Sequence, residues 1–431
     1  MEVFSIYAYV AVLLLVALLS TRLMRVIKLP NVTGYIITGI IMGPFLFGVL
    51  FNNFSFENIK DGLIYGFVKN IGWVSTVALG FIAFSIGTSF KATTIKALGK
   101  RVIVITIFEA LGASFLVIAA LLAAHFIFPQ YVSLQLALTL AAIASATAPA
   151  ATLMVIKQYR AHGPLVDTLL PVVALDDAAA LILFAILFQI ASALAGGALS
   201  VYAIIVKPLL EITISLGVGI ILGFIISLAN RLFKSRNNRL IWCIFSVFAA
   251  LGFYYLFKTP FMGGFELSSL LTCMMAGAIY TNFVKESGRT LDVMDRFTSP
   301  IYMMFFVISG ASLDLTIFFN GDGLLVVLVA LTYIIFRVIG KWSGAYIGAS
   351  ITRCEPQVKK YIGFALVPQA GVAIGLSTTA YNLFSQNPAT EKIGSLILAI
   401  ILTSTLIYEL IGPMVAKFAL KKAHEIPEDA L

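Results

Sequence analysis

Long apolar stretches recur along the whole chain of 431 residues, with short polar loops between them. A helix of about 20 apolar residues crosses the hydrocarbon core of a bilayer, so each stretch predicts a transmembrane helix. We predict thirteen spans, at residues 4–20, 32–51, 71–90, 102–128, 133–156, 166–191, 201–229, 240–257, 265–284, 298–319, 323–350, 361–384 and 393–416. The sequence therefore predicts an all-α polytopic membrane protein, since helices satisfy their own backbone hydrogen bonds in lipid.

The basic residues predict how these spans are oriented. If the N-terminus lies outside, the inner loops and the C-terminus together hold 22 Lys and Arg, and the outer segments hold four. Positive charge marks the cytoplasmic side of a membrane protein. We therefore predict a multi-pass protein of the cell membrane with its N-terminus outside and its C-terminus in the cytoplasm. Membrane topology also explains the net charge of +9, so the expected partners are membrane lipids and not nucleic acid.

Two adjacent acidic residues, Asp176 and Asp177, interrupt the apolar stretch from Leu169 to Leu187. An aspartate at the centre of a membrane helix costs about 2.5–3.5 kcal/mol on insertion scales. Acidic residues at this depth most often bind ions or protons, which is the functional interpretation. The structural alternative is a pair neutralised by a buried cation.

Two basic residues, Arg337 and Lys341, lie in the middle of the eleventh predicted span. They are four positions apart, so they share one face of a helix. Buried cations need anions, and Asp176 and Asp177 are the obvious candidates. Glu109 in the fourth span is a further intramembrane acid, either a second proton site or a structural partner; we favour the structural role.

Helix-breaking residues interrupt the fifth and the twelfth predicted spans. The fifth contains Pro149 with the hydroxyls of Ser145 and Thr147, and the twelfth contains Pro368 and Gly371. Interrupted helices at corresponding places in two halves indicate the binding site of a secondary transporter. The two spans are seven apart, and an odd offset reverses the direction of crossing. We therefore predict inverted repeats formed by spans 1–6 and 8–13, with the freed backbone and the hydroxyls helping to hold a cation.

The remaining chemistry of the sequence excludes several classes. Three cysteines and three histidines are too few and too scattered for a disulfide framework or a metal centre. An intramembrane aspartyl protease needs two aspartates that converge on one peptide. Adjacent residues of a helix instead point about 100° apart. We predict a protein that is not an enzyme and needs no cofactor beyond the ions it transports.

At the level of motifs the chain resembles the monovalent cation:proton antiporter superfamily, in particular its paired-aspartate branch. The similar segments follow in the same order along the chain. They are LPNVTGYIITGIIMGP, ASATAPAATLMVIKQYRAHGPL, TLLPVVALDDAAALILF, IYMMFFVISGASLDL, FRVIGKWSGAYIGA and ALVPQAGVAIGLS.

The resemblance implies a homodimer in which each subunit has a dimerisation part and a core with two crossing broken helices. We expect one transport unit over residues 1–420 and a short cytoplasmic tail at 421–431. Within the unit, the core helices lie at about 71–191 and 298–416, and the dimerisation or scaffold helices at about 4–51 and 201–284.

The resemblance also assigns roles to residues. Asp177 matches the family's carrier of cation and proton, and is the expected monovalent cation ligand. Asp176 matches the aspartate that pairs with a basic residue. We prefer Arg337 as that partner, with Lys341 as the competitor.

The predicted activity is exchange of Na⁺, or of K⁺, for protons by alternating access. A cation channel or uniporter with the same fold is the alternative.

Overall fold

The computed structural model describes residues 2–27, 29–48, 63–88, 90, 92–129, 131–195, 206–233, 235–257, 259, 267–284, 287–312, 323–385, 387 and 390–428. Within these ranges all regular structure is helical, so the all-α prediction is confirmed. The helices are α1 (Glu2–Val26), α2 (Asn31–Met42) with a π-helical turn (Pro44–Gly48), α3 (Leu63–Ile71), α4 (Trp73–Thr88), α5 (Ala92–Ile127), α6 (Leu134–Ala144), α7 (Pro149–Gln158), α8 (Pro164–Leu194), α9 (Lys207–Leu232), α10 (Arg236–Phe257), α11 (Ser269–Phe283), α12 (Ser287–Ala311), α13 (Gly323–Ile351), α14 (Pro356–Ala365), α15 (Gly371–Phe384) and α16 (Glu391–Lys422).

Each of the thirteen predicted spans overlaps one helix or two consecutive helices. The parts of these spans at residues 49–51, 89, 201–205, 265–266 and 313–319 lie outside the described residues. The fifth span is the broken pair α6 and α7, and the twelfth is the broken pair α14 and α15. In the described part of the chain, eight helices are long and apolar enough to cross a membrane. The total number of crossings, and their direction, stay predictions.

Contacts divide the chain into two units. Unit 1 covers residues 1–92 and 214–316, and unit 2 covers 93–213 and 317–431. Each unit thus takes three spans from each predicted repeat, with the boundary at the corresponding place in both halves. Helices α4 and α12 belong to unit 1; α4 lies inside the range predicted for the core, and α12 lies partly inside it. Which helices form a dimerisation part stays a prediction.

Unit 2 contains every residue that the sequence singled out as functional. One buried apolar cluster in it gathers residues of α5, α6, α8, α13, α15 and α16. A second cluster gathers residues of α5, α7, α8, α13, α14 and α16. The first half of one broken helix therefore packs in the same layer as the second half of the other. This exchange of layers is what two crossing broken helices produce, and it leaves both breaks between two apolar layers.

Candidate functional site

The two helix breaks lie against each other in unit 2. The first break runs from Ser145 to Ala148, between the end of α6 and the start of α7 at Pro149. The second runs over residues 366–370, and includes Pro368. The amide of Ala148 donates a hydrogen bond of 2.8 Å to the carbonyl of Pro368. The two breaks are therefore in direct contact. Backbone groups in the breaks can form hydrogen bonds with side chains.

Arg337 on α13 fastens the two breaks together. Its guanidinium donates to the carbonyl oxygens of Ala144 (2.9 Å), Val367 (2.7 Å) and Ala146 (2.6 Å). It also lies 4.6 Å from the centre of the Tyr408 ring. Helix ends and breaks leave carbonyls without intrahelical partners, and a planar five-donor group suits several of them at once. Arg337 is thus a partner of the backbone.

Gln369, in the second break, adds to this network. Its amide nitrogen donates to the carbonyls of Ile143 (3.0 Å) and Ala146 (3.3 Å). Its side chain also pairs with the Tyr333 hydroxyl on α13. The sequence analysis did not single out Gln369. A buried amide next to a helix-breaking proline was the signal that could have identified it, because free carbonyls need donors.

Lys341, one turn after Arg337, is the basic residue at the acidic pair. Its Nζ donates to Glu109 Oε2 (2.6 Å), Thr147 Oγ1 (2.6 Å) and Asp176 Oδ2 (3.0 Å). An ammonium has three donors, and all three are used here. All three charged side chains have no exposed surface. The preference for Arg337 as the partner of Asp176 was therefore wrong, and the competing assignment to Lys341 is the one that the structure shows.

The contact between Glu109 and Lys341 follows from the close approach of α5 to α13. A Cβ atom at Gly344 would lie 2.2 Å from the carbonyl oxygen of Phe108, and one at Gly340 would lie 2.5 Å from that of Gly112. Small residues let membrane helices pack backbone to backbone. This contact brings Glu109 within hydrogen-bond distance of Lys341. The stripe Gly340, Gly344 and Gly348 in the sequence was the available signal.

We expect a bulkier residue at Gly344 to separate these helices. Gly344→Leu should lower the free energy of unfolding by about 1–3 kcal/mol or more, since this range is typical of overpacking. The measurement is the apparent unfolding temperature of the purified protein in detergent. Gly217→Leu is the matched control, because a Cβ at Gly217 meets no atom of the described residues within 4 Å. Equal unfolding temperatures for the two variants would contradict the close contact.

Asp177 is buried, with 6% of its surface exposed, next to this cluster. Its Oδ1 has no hydrogen-bond partner within the described ranges. The outer oxygens of Asp176 (Oδ1) and Glu109 (Oε1) are likewise without a partner among the described residues. Buried carboxylate oxygens are rarely left unpaired in proteins, because each one costs desolvation energy. Oxygens of this kind are suited to bind a proton or a cation.

The other predicted site residues lie at the breaks but differ in their contacts. Thr147 accepts from Lys341, so its hydroxyl oxygen is already engaged. Ser145 is buried and donates back to the carbonyl of Ala142 at 3.1 Å, a local contact within the helix end. Pro149 is the first residue of α7 and Gly371 the first of α15. In the described ranges no group of three or more His, Cys, Asp and Glu has the spacing of a metal site.

Comparison with known proteins gives two consistent results. The model of the family described as "Sodium/hydrogen exchanger, transmembrane" matches residues 10–418. Two solved structures of the sodium proton antiporter MjNhaP1 from Methanocaldococcus jannaschii share the fold. The one at pH 8 has a TM-score of 0.68 at 16% identity, over 98% of this chain and 99% of that one. The one described as an EM map has a TM-score of 0.75 at 16% identity, over 99% and 98%. No curated protein sequence matches the chain.

Proposed function

Since the chain belongs to the transmembrane sodium/hydrogen exchanger family, whose fold is that of a transporter, we propose that it exchanges Na⁺ for protons at Asp177. Family membership supports cation and proton exchange. The identity of the cation, the carrier residue and the mechanism are our proposal. The observation that carries it is Oδ1 of buried Asp177, which no described residue pairs with, beside two helix breaks in contact.

The proposed exchange follows from the cost of a buried charge. An ionised carboxylate in a low-dielectric site is unfavourable unless a cation compensates it. Asp177 can meet this demand with a bound proton or with a bound Na⁺. Because the two ligands use the same oxygens, binding of one displaces the other. Competition at a single carboxylate is sufficient for exchange, provided that the empty, charged form does not change the side to which it opens.

The neighbouring cluster adds negative charge in favour of a cation. Glu109 and Asp176 carry two carboxylates around the single ammonium of Lys341. If all three are ionised, the cluster has a net charge of −1. Charges inside a membrane protein act at low dielectric and mark ion pathways. The cluster would therefore attract a cation to the position that Asp177 occupies.

Arg337 has no part in ion binding in this proposal. Its hydrogen bonds are directed to three backbone carbonyls. The other break carbonyls and the hydroxyl of Ser145 supply the neutral oxygens that a hard cation needs after losing water. Asp176 forms an ion pair with Lys341. As the neighbour of Asp177 in the chain, it is close enough to change the electrostatic potential at Asp177.

The wider context is also part of the proposal. We propose alternating access to Asp177 from the two sides of the cell membrane, a homodimer, and a cytoplasmic C-terminus. The prediction for dimer formation comes from the family resemblance, and that for orientation from the basic loops. K⁺ in place of Na⁺ is the closest variant of the proposal, because both are hard monovalent cations that bind oxygen.

The decisive experiment is ion flux in liposomes that contain the purified protein. An imposed pH gradient should drive uptake of Na⁺, and an imposed Na⁺ gradient should drive proton movement, each only when the counter-ion is present on the opposite side. Parallel measurements with K⁺ and Li⁺ identify the cation. Cation flux that persists without a counter-ion would instead show a channel or uniporter. A pH gradient that moves none of the three cations would overturn the proposal.

A further inference from the structure

The segment after α16 folds back onto the start of the double-aspartate helix α8. Glu425, three residues past the end of α16, is only 4% exposed. Its Oε1 accepts from the amide of Leu165 at 2.5 Å and its Oε2 from that of Val166 at 2.9 Å. Its main-chain carbonyl accepts from the amide of His162 at 3.0 Å. One residue thus makes three hydrogen bonds to the loop and first turn that begin α8.

These amides need an acceptor from outside the helix. The first N–H groups of a helix have no intrahelical partner, and a side chain just before the helix usually accepts from them. Here that position is Gly163, which has no side chain, and Pro164 follows it. Glu425 therefore replaces the local cap from 260 positions away in the sequence. A carboxylate suits this place because it has two acceptor oxygens and because the helix N-terminus carries partial positive charge.

The loop is shaped to receive this side chain. Gly163 has φ of +145°, a conformation that residues with a Cβ rarely adopt. A Cβ at this position would lie 2.7 Å from Cδ of Glu425. On either side of Glu425, Ala423 and Ile426 are buried in the same apolar cluster as Leu165. The Glu425 carboxylate is therefore closely packed against this loop. We call this set of contacts the tail clamp (Glu425 with His162, Leu165 and Val166).

A proline separates the tail clamp from the acidic pair. Pro171 lies inside α8 and has no N–H, so the carbonyl of Asp167 receives no bond from it. Such a position is where a helix bends. The residues before Pro171 carry the clamp, and the residues after it carry Asp176 and Asp177. Holding the first part limits bending at the proline, and so limits displacement of the second part.

We propose that Glu425 is a positioning residue for Asp176 and Asp177, acting through the first turn of α8. It does not contact the transported ion. Its carboxylate fixes the start of α8, and the clamp and Pro171 together set where the two aspartates lie relative to the helix breaks. The transport consequence rests on the proposed function, whereas the effect on α8 does not.

Glu425→Gln is the informative variant. Its side-chain carbonyl can accept from one amide, but its NH₂ group then points its hydrogens at the other amide donor. Other charged or titratable side chains at this place are those of Asp167 on α8 and His162 in the loop, which both stay unchanged. Glu428→Gln is the matched control, because it makes the same change at an exposed position three residues later in the tail.

Hydrogen–deuterium exchange of the full-length protein in nanodiscs is the first measurement. In Glu425→Gln we expect amides of residues 165–170 to exchange at least about fivefold faster, the factor that corresponds to loss of a typical helix cap. We also expect faster exchange over residues 172–178, beyond Pro171. The Glu428→Gln variant should match the wild type in both segments.

Flux in liposomes is the second measurement. In Glu425→Gln we expect the apparent KM for Na⁺ to rise about fivefold or more, while the maximal rate per folded molecule changes less. Glu425→Asp keeps both acceptor oxygens and should lie between wild type and Glu425→Gln. If Glu425→Gln does not fold, the same two measurements are made on Glu425→Asp.

The outcomes separate the two proposals. Faster exchange that stops before Pro171, together with an unchanged KM, would overturn the positioning role and leave Glu425 as a local cap. A wild type without any cation-coupled flux would overturn the proposed function. In that case faster exchange over residues 172–178 still supports the clamp, and unchanged exchange there still refutes it.

Discussion

Asp177→Asn should abolish coupled exchange, with Na⁺-driven proton movement falling by at least about a thousandfold, to the background of empty liposomes. Asparagine has nearly the same size and keeps one acceptor oxygen, but it can neither hold a negative charge nor release a proton at neutral pH. The variant can therefore neither bind the cation by charge nor carry the proton, and both halves of the proposed cycle are lost. The measurement is the initial rate of Na⁺-dependent proton efflux from liposomes at saturating Na⁺.

Folding must be intact for that result to have meaning. Removing a buried charge, one of whose oxygens has no partner in the described part of the chain, relieves a desolvation cost, so we expect Asp177→Asn to unfold at the same temperature as the wild type or higher. Asp292→Asn is the matched control, because it makes the same change at an exposed position of α12. Full activity in Asp177→Asn would move the ion site to another residue.

Lys341→Met should be the most destabilising single change in unit 2. Methionine fills most of the volume but leaves Glu109 and Asp176 buried together without their ammonium. Removing one partner of a buried ion pair typically costs about 3–5 kcal/mol, because the remaining charge is uncompensated. Protonation of either carboxyl relieves the repulsion between them, so the loss of stability should be smallest at acidic pH and grow as the pH rises.

The measurement is the apparent unfolding temperature in detergent across a pH series. Lys100→Met, at an exposed position of α5, is the control for loss of a positive charge. Adding Glu109→Gln to Lys341→Met removes one of the two carboxylates, and should recover part of the lost stability. If the double variant is no more stable than Lys341→Met alone, Glu109 is not coupled to Lys341 in the way that the distance of 2.6 Å indicates.

The sequence predicted the helices and the burial of the acidic pair because the signals for both are local. Apolar runs, prolines and charges within apolar stretches can each be recognised within about twenty residues. The prolines indicated both helix breaks, and Thr147 lies at the first of them. Family resemblance then supplied the order of the motifs.

The choice between Arg337 and Lys341 was beyond local signals. Both lie on the same face of α13 and differ only by four residues, about 6 Å along the axis. Which of them meets Asp176 depends on how α13 lies against α8, whereas glycine contacts such as that of Gly344 with Phe108 set only the position of α13 against α5. The capping of α8 by Glu425 joins residues 260 positions apart, and no periodicity in the sequence encodes such a contact.

The three hydrogen bonds of Arg337 to the break carbonyls have a consequence for the transport cycle. A guanidinium keeps its charge at every pH at which a protein works, whereas the ammonium of a buried lysine can lose its proton. The contact that Arg337 makes between the two broken helices therefore does not depend on pH. The crossing of the broken helices, which presents the backbone oxygens, would then be the same in the proton-loaded and cation-loaded forms. A change of pH would alter only which ligand the acidic residues bind.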